Sequence, residues 1–158
     1  MTLDPDSFRA VLGRFASGVT IVTVHDAAGR DHGMTVSAFC SVSLDPPLVL
    51  VCIERVASMH DVAVAASHFA VNVLAAEQEA LARRFADTGS DRFAGVGYTR
   101  GESGAPLLDD ALAIAECRRV TAHPAGDHTI LVGETEHATV RDARPLLYYR
   151  GGYASLER

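Results

Sequence analysis

The sequence predicts a mainly β fold, an antiparallel β-barrel decorated with helices, and three observations lead there. Strand-like runs number roughly six or seven against three helical segments, with none of the regular βαβ alternation that a parallel sheet requires. The runs are β-branched or alternate apolar with polar residues, and turn-forming residues separate them. With 158 residues, 48% of them hydrophobic, the chain has material for one packed core, so residues 1–158 are expected to fold as a single domain.

At the start Phe8, Val11, Leu12 and Phe15 recur at helical spacing, with Asp6 or Ser7 as candidate N-cap and Gly18 beyond the end, which predicts a short amphipathic helix. Val19 to His25 is β-branched, DAAGR offers Gly29 for a turn, and a polar strand leads on to Met34, so a hairpin is expected. From Thr35 to Leu44 the hydroxyls of Thr35, Ser37, Ser41 and Ser43 stand in one phase and Val36, Ala38, Val42 and Leu44 in the other. Phe39 and Cys40 interrupt that order, the mark of a bend or bulge that turns backbone groups away from the ladder. Asp45-Pro46-Pro47 ends the strand, and Leu48 to Ile53 reads as a buried one.

Ser58 to Ser67 predicts an Ala-rich helix and His68 to Leu74 a strand. Glu77 to Ala86 predicts a helix whose early Glu and late Arg83 and Arg84 suit its macrodipole. Thr88 to Gly104, rich in Gly, Ser, Asp and Thr, predicts a loop. The rest reads as a long hairpin turning at Pro124 to Gly126, followed by a final strand in PLLYYRGGY.

Composition removes several functions. A net charge of −6, with 14 basic residues scattered among 20 acidic ones, is the wrong balance for gripping a nucleic-acid backbone. No run approaches the roughly 20 apolar residues of a membrane span, and MTLDPDSFRAV is acidic where a secretion signal is basic, so a soluble, cytoplasmic protein is expected. Cys40, Cys52 and Cys117 are odd in number and lack CxxC spacing, so they read as reduced thiols. The histidines show no metal-binding pattern, and G-x-S-x-G, G-x-G-x-x-G and the P-loop are all missing, which leaves hydrolase, Rossmann and metal readings unsupported.

Three constellations offer chemistry. The interrupted strand from Thr35 to Ser43 sets backbone amides beside small hydroxyls, suited to the edge of a flat heterocycle, although such hydroxyls also serve as plain solvent-facing groups. Gly126-Asp127-His128 puts a titratable ring at the mouth of a strand, or forms a simple turn with an exposed histidine. Tyr148-Tyr149-Arg150-Gly151-Gly152-Tyr153 supplies rings and a guanidinium for stacking on a nicotinamide or adenine, or else an edge strand packed on a dimer partner.

Taken in order, FRAVLGRFASGVTIVT, TVSAFCSVSLDPPLVLVCI, FAVNVLAAEQEALARRFA, GDHTILVGE and PLLYYRGGY resemble the short-chain flavin reductases of two-component monooxygenases, the FMN-binding split-barrel family, over nearly the whole chain. The resemblance implies a Greek-key split barrel that forms a homodimer and takes FMN or FAD, with NADH or NADPH as reductant. It sets Thr35, Val36, Ser37 and Ala38 along the isoalloxazine and Ser41, Val42 and Ser43 toward the ribityl and phosphate end. Cys52, Ile53, Glu54, Ser58, Met59, His60, Arg84 and Phe85 complete the implied flavin site, while His128, Tyr148, Tyr149, Arg150 and Gly151 face the nicotinamide nucleotide. In that scheme the flavin carries the hydride chemistry, no side chain is required as acid or base, His128 positions the nicotinamide, and a partner monooxygenase receives the reduced flavin.

The chain departs from the family where relatives carry N-[KR]-S-S-x-T: it reads Glu54-Arg55-Val56-Ala57-Ser58-Met59. Arg55, Ser58, His60, Arg84 and the start of the following helix are the expected replacements for phosphate donors. The altered run keeps open a non-catalytic flavin-binding dimer of the same fold. An oxidase of pyridoxamine-phosphate type would want a more basic pocket.

Overall fold

The structure, a computed structural model, describes residues 1–89 and 91–157; Ser90, inside the expected 88–104 loop, and Arg158 lie outside the described residues. The described residues form three helices: α1 (Pro5–Leu12), α2 (His60–Ala65) and α3 (Glu79–Ala86), the last entered through a 3-10 turn at Ala76–Gln78. Asp4, not Asp6 or Ser7, caps α1, its carboxylate accepting the Ser7 N–H at 2.9 Å. The helix expected over 58–67 is trimmed to α2, because Ala66 turns extended (ψ 141°) and sends the chain into the next strand.

The strands are β1 (Ser17–Gly18), β2 (Thr20–His25), β3 (Asp31–Val36), β4 (Phe39–Ser43), β5 (Leu48–Glu54), β6 (His68–Val73), β7 (Tyr98–Arg100), β8 (Pro106–Leu108), β9 (Ala113–Ala125), β10 (His128–Val140), β11 (Leu146–Tyr149) and β12 (Gly152–Ser155). All their pairings are antiparallel. Two expectations change here: the 88–104 loop contains β7, and the single C-terminal strand is a hairpin. Its two-residue loop is Arg150 (φ 51°) and Gly151 (φ 76°), the positive pair that a type I′ turn demands.

Seven strands form the main sheet in the order β3-β2-β6-β9-β10-β5-β4. Its edge strands, β3 and β4, are consecutive in the chain and separated only by Ser37 and Ala38. Laid flat, seven strands would hold those edges roughly 29 Å apart at about 4.8 Å per step, yet the link from Val36 to Phe39 reaches at most roughly 11 Å. The sheet must therefore curl until its edges meet. The hydrogen-bond ladder does not continue from β3 to β4, which leaves a barrel split along one seam.

Apolar side chains fill the curl in two clusters. Phe69, Val51, Ile53, Met59 and Leu131 centre one; Ile21, Leu74, Phe85, Leu108 and Leu146 centre the other, beneath α3. Between them Asn72 is fully buried and fully bonded: its amide donates to Ile21 O and Thr23 Oγ1, and its oxygen accepts the Leu108 N–H, which pins β8 to the barrel. Gly133 has no substitute, since a Cβ there would lie 2.5 Å from the Phe69 ring.

On the rim, Asp31 ties three segments together. Its carboxylate accepts both Nη atoms of Arg100 at 2.9 Å and the Tyr98 hydroxyl at 3.0 Å, and lies 2.7 Å from His25 Nδ1. The Arg100 guanidinium holds the Asp31 carboxyl down at about 2, against an ordinary 3.8.

Candidate functional site

The seam is where ligand-facing groups gather. Ser37 and Ala38 are exposed, and their N–H groups fall outside the ladder because neither residue belongs to a strand. Their carbonyls are turned inward: Ser37 O accepts Phe39 N–H at 2.9 Å, and Ala38 O accepts Cys52 N–H at 3.0 Å. The interruption read from the sequence at Phe39 and Cys40 thus lies just ahead of them. The register shift expected there falls later, between Ser41 and Ser43. Small side chains on both sides let a flat ring approach this backbone.

From Ala38 the site runs through Cys52, half-buried, its thiol pushed up by burial and then by neighbouring Cys40. Two residues further, Glu54 stands opposite His128 in the β5–β10 register. His128 Nδ1 lies 2.7 Å from the Asp127 carboxylate, which fixes the ring and leaves Nε2 for a ligand. His60, at the start of α2, bridges Asp61 Oδ1 (2.8 Å) and Thr129 Oγ1 (2.7 Å), so it braces β10 beside His128.

On the other side of the seam, a cleft of about 710 Å³ opens between α1 and the β11–β12 turn. Its walls include Ser37 and Ala38 together with Tyr148, Arg150 and Gly151. Arg150 N–H donates to Gly13 O at 3.0 Å, which ties the end of α1 to the turn; a Cβ on Gly13 would crowd Arg9 O of the helix itself at 3.0 Å and meet Arg150 only at an ordinary 3.7 Å.

Residues 12–157 match the family described as the flavin reductase like domain. The chain belongs to this family. Among relatives of this flavin reductase-like chain, the FMN reductase (NADH) SmoA of Agrobacterium fabrum is 45% identical over 152 residues, 96% of this chain and 86% of that protein. The flavin-dependent monooxygenase reductase subunit HsaB of Rhodococcus jostii is 39% identical, over 98% of this chain and 80% of its own. Among solved structures, the NADH:FAD oxidoreductase SgcE6 of Streptomyces globisporus, in complex with NAD and FAD fragments, superposes with a TM-score of 0.92 at 42% identity, covering 99% of this chain and 97% of that one. The mainly β, split-barrel architecture read from the flavin reductase resemblance is the one found.

The implied site residues do not all serve by side chain. Phe85 is the clearest correction: it is fully buried in the second core cluster, its ring edge-on to Phe93 at 5.0 Å, so its role is packing. Val36, Ile53 and Met59 are likewise core residues, offering only backbone to a ligand. The Thr35 hydroxyl donates to Ala82 O at 2.6 Å and anchors α3. The Arg84 guanidinium donates through Nε and Nη2 to the carbonyls of Asp91, Arg92 and Ala94, so it is anchored to that loop and has only Nη1 left for a ligand. α2, with six residues, is too short for its N-terminus to make an anion site. Ser58 and Met59 line a separate cleft of about 280 Å³ with Gly33, Arg92 and Phe93. Ser41, Val42 and Tyr149 are exposed and Ser43 half-buried.

Sequence reasoning missed Arg14, Phe15 and Ser17, which share the cleft with Arg150. Arg14 follows the glycine that ends α1, a position that looks like a loop cation until the turn at Arg150 is brought beside it.

The donors present fit a flavin ring better than they fit its phosphate. The ring edge would find exposed amides at the seam. At the expected phosphate end the Arg55 guanidinium donates to Gly126 O at 3.5 Å, and Glu54 adds a negative charge.

Proposed function

We propose that this chain is an NAD(P)H:flavin oxidoreductase that reduces FMN or FAD and passes the reduced flavin to a partner monooxygenase. One observation carries the reading: Ser37 and Ala38, on the flavin side, and Tyr148, Arg150 and Gly151, on the nicotinamide side, line a single cleft. Relatives named as an NADH-dependent FMN reductase and as the reductase subunit of a flavin-dependent monooxygenase support it.

A bound flavin supplies the hydride acceptor and needs no acid or base from the protein. The residues here bind and align. The seam amides hold the heterocycle edge, Cys52 and Ala38 keep its approach narrow, and Tyr148 offers a ring face from the opposite wall. His128, oriented by Asp127, is a positioning residue for the nicotinamide nucleotide.

The working form in this reading is a homodimer of single-domain chains in the cytoplasm. On α1, Phe8, Val11 and Leu12 are 57%, 66% and 50% exposed, an apolar stripe that a second copy would cover. Three unpaired thiols suit a reducing compartment. No helix among the described residues is long and apolar enough to cross a membrane.

The test is the initial rate of NADH and of NADPH oxidation with riboflavin, FMN and FAD added in turn. Saturable, flavin-dependent turnover is expected. Flavin binding without turnover would replace this reading by the non-catalytic flavin-binding dimer, which the altered Glu54–Met59 run favours.

A further inference from the structure

The cleft between α1 and the β11–β12 turn gathers positive charge in an acidic chain. Three arginines line it: Arg9, Arg14 and Arg150. Arg9 is paired with Asp6 at 3.1 Å along the helix. Among the described residues Arg14 and Arg150, like Arg144 elsewhere on the surface, make no side-chain hydrogen bond or ion pair, whereas Arg84, Arg92, Arg100, Arg118, Arg119 and Arg141 each make at least one. Two unpartnered guanidiniums on one cleft repel each other, and in a chain of net charge −6 they had many carboxylates to pair with.

Their placement is built. Arg150 is one of only two non-glycine residues among those described that have positive φ, a sparsely populated conformation, and its N–H is fixed on Gly13 O at 3.0 Å. Gly13 immediately precedes Arg14, so one contact sets both arginines at the same mouth. Ser17, Ser37 and Tyr148 line the same cleft. A pair of forks beside hydroxyls and an aromatic face is the donor set for a phosphorylated, ring-bearing anion.

We infer that Arg14 and Arg150 form a clamp for the diphosphate of the nicotinamide dinucleotide, whose reduced ring reaches past Tyr148 to Ser37 and Ala38. This rests on the reductase reading above. The alternative source of a diphosphate is FAD. It is disfavoured because the hydroxyls implied for the flavin tail, Ser41, Ser43 and Ser58, lie outside this cleft, Ser58 in a different one.

The experiment compares Arg14→Ala, Arg150→Ala and Arg14→Lys with the parent protein, using NADH and the phosphate-free donor reduced nicotinamide riboside, with riboflavin and FAD as acceptors. Each alanine variant should raise KM for NADH about tenfold, the usual worth of one charge-assisted bond, while kcat moves less than twofold. KM for the riboside should stay within about twofold of the parent, and Arg14→Lys should recover part of the loss. An unchanged KM for NADH would overturn the clamp. So would equal damage with both donors, which would mean a structural role, or a KM rise seen for FAD but not for riboflavin, which would assign the arginines to the flavin. If the parent turns over no NADH with any flavin, the reductase reading fails, and calorimetric titration of NAD⁺ decides the clamp separately: a tenfold weaker affinity in both alanine variants supports it, and parent-like affinity refutes it.

Discussion

Replacing Asp31 by Asn should cost up to about 2 kcal/mol at neutral pH, and the cost should disappear in acid. The carboxylate joins the β2–β3 hairpin to β7 through Arg100, Tyr98 and His25, and its side chain is only 14% exposed. The interval between an ordinary 3.8 and about 2, at about 1.4 kcal/mol per pKa unit, gives roughly 2 kcal/mol. Because Arg100 is 43% exposed and solvent screens the pair, that figure is a ceiling. The sign follows from a depressed folded-state pKa: the stabilisation is fully present above about 4 and is lost as pH falls toward about 2. For a chain of this size the loss at pH 7 corresponds to roughly 4–8 °C in Tm. Urea unfolding of the parent and Asp31→Asn at pH values from 7 down to 3 measures it. Arg100→Ala should give a similar loss, and the double variant should lose much less than the sum. A gap below about 0.5 kcal/mol at pH 7, or one that stays constant as pH falls, would refute the argument.

Three further outcomes are expected. Gly133→Ala should destabilise by about 1–3 kcal/mol in urea unfolding, because its Cβ would fall 2.8 Å or less from Phe69 and Cys117 in a full core; a neutral result would mean the Phe69 ring moves freely. Iodoacetamide labelling followed by mass mapping should modify exposed Cys40 first, while Cys117, buried and pushed up to about 11, reacts only on unfolding; comparable rates would show that the core opens. His128→Ala should raise KM for NADH severalfold and leave KM for flavin unmoved, and parent-like values for both KM and kcat would remove its positioning role.

Much of this was legible from local pattern. The hairpin from Val19 to Met34 declared itself through β-branched residues around Gly29, and the long β9–β10 hairpin through its turn at Gly126. The broken alternation in Thr35–Leu44 marked the seam to within two residues. What fixes the break at Ser37 and Ala38 is nonlocal, namely the pairing of β3 with β2 and of β4 with β5, which no window of sequence contains. Arg84 and Phe85 are engaged in the fold in ways the local pattern does not show, for a related reason. A helix-end arginine looks free until the 91–94 carbonyls fold over it, and whether a helical Phe faces core or ligand depends on what lies beneath α3. The C-terminal hairpin had a signal in Arg150-Gly151-Gly152, where two positions able to take positive φ sit between alternating strands.

The two-residue link between the outermost strands also bears on when the site exists at all. Either edge can be assembled on its own, but Ser37 and Ala38 reach their final positions only after all seven strands have taken their places. A molecule held at those two residues grips the first and last strands of the sheet together. Fraying of β3 or of β4 alone would release it, and its presence would slow both. Hydrogen exchange at these opposite margins should therefore respond in concert to flavin, as though the two were one cooperative unit, although six strand pairings separate them around the sheet.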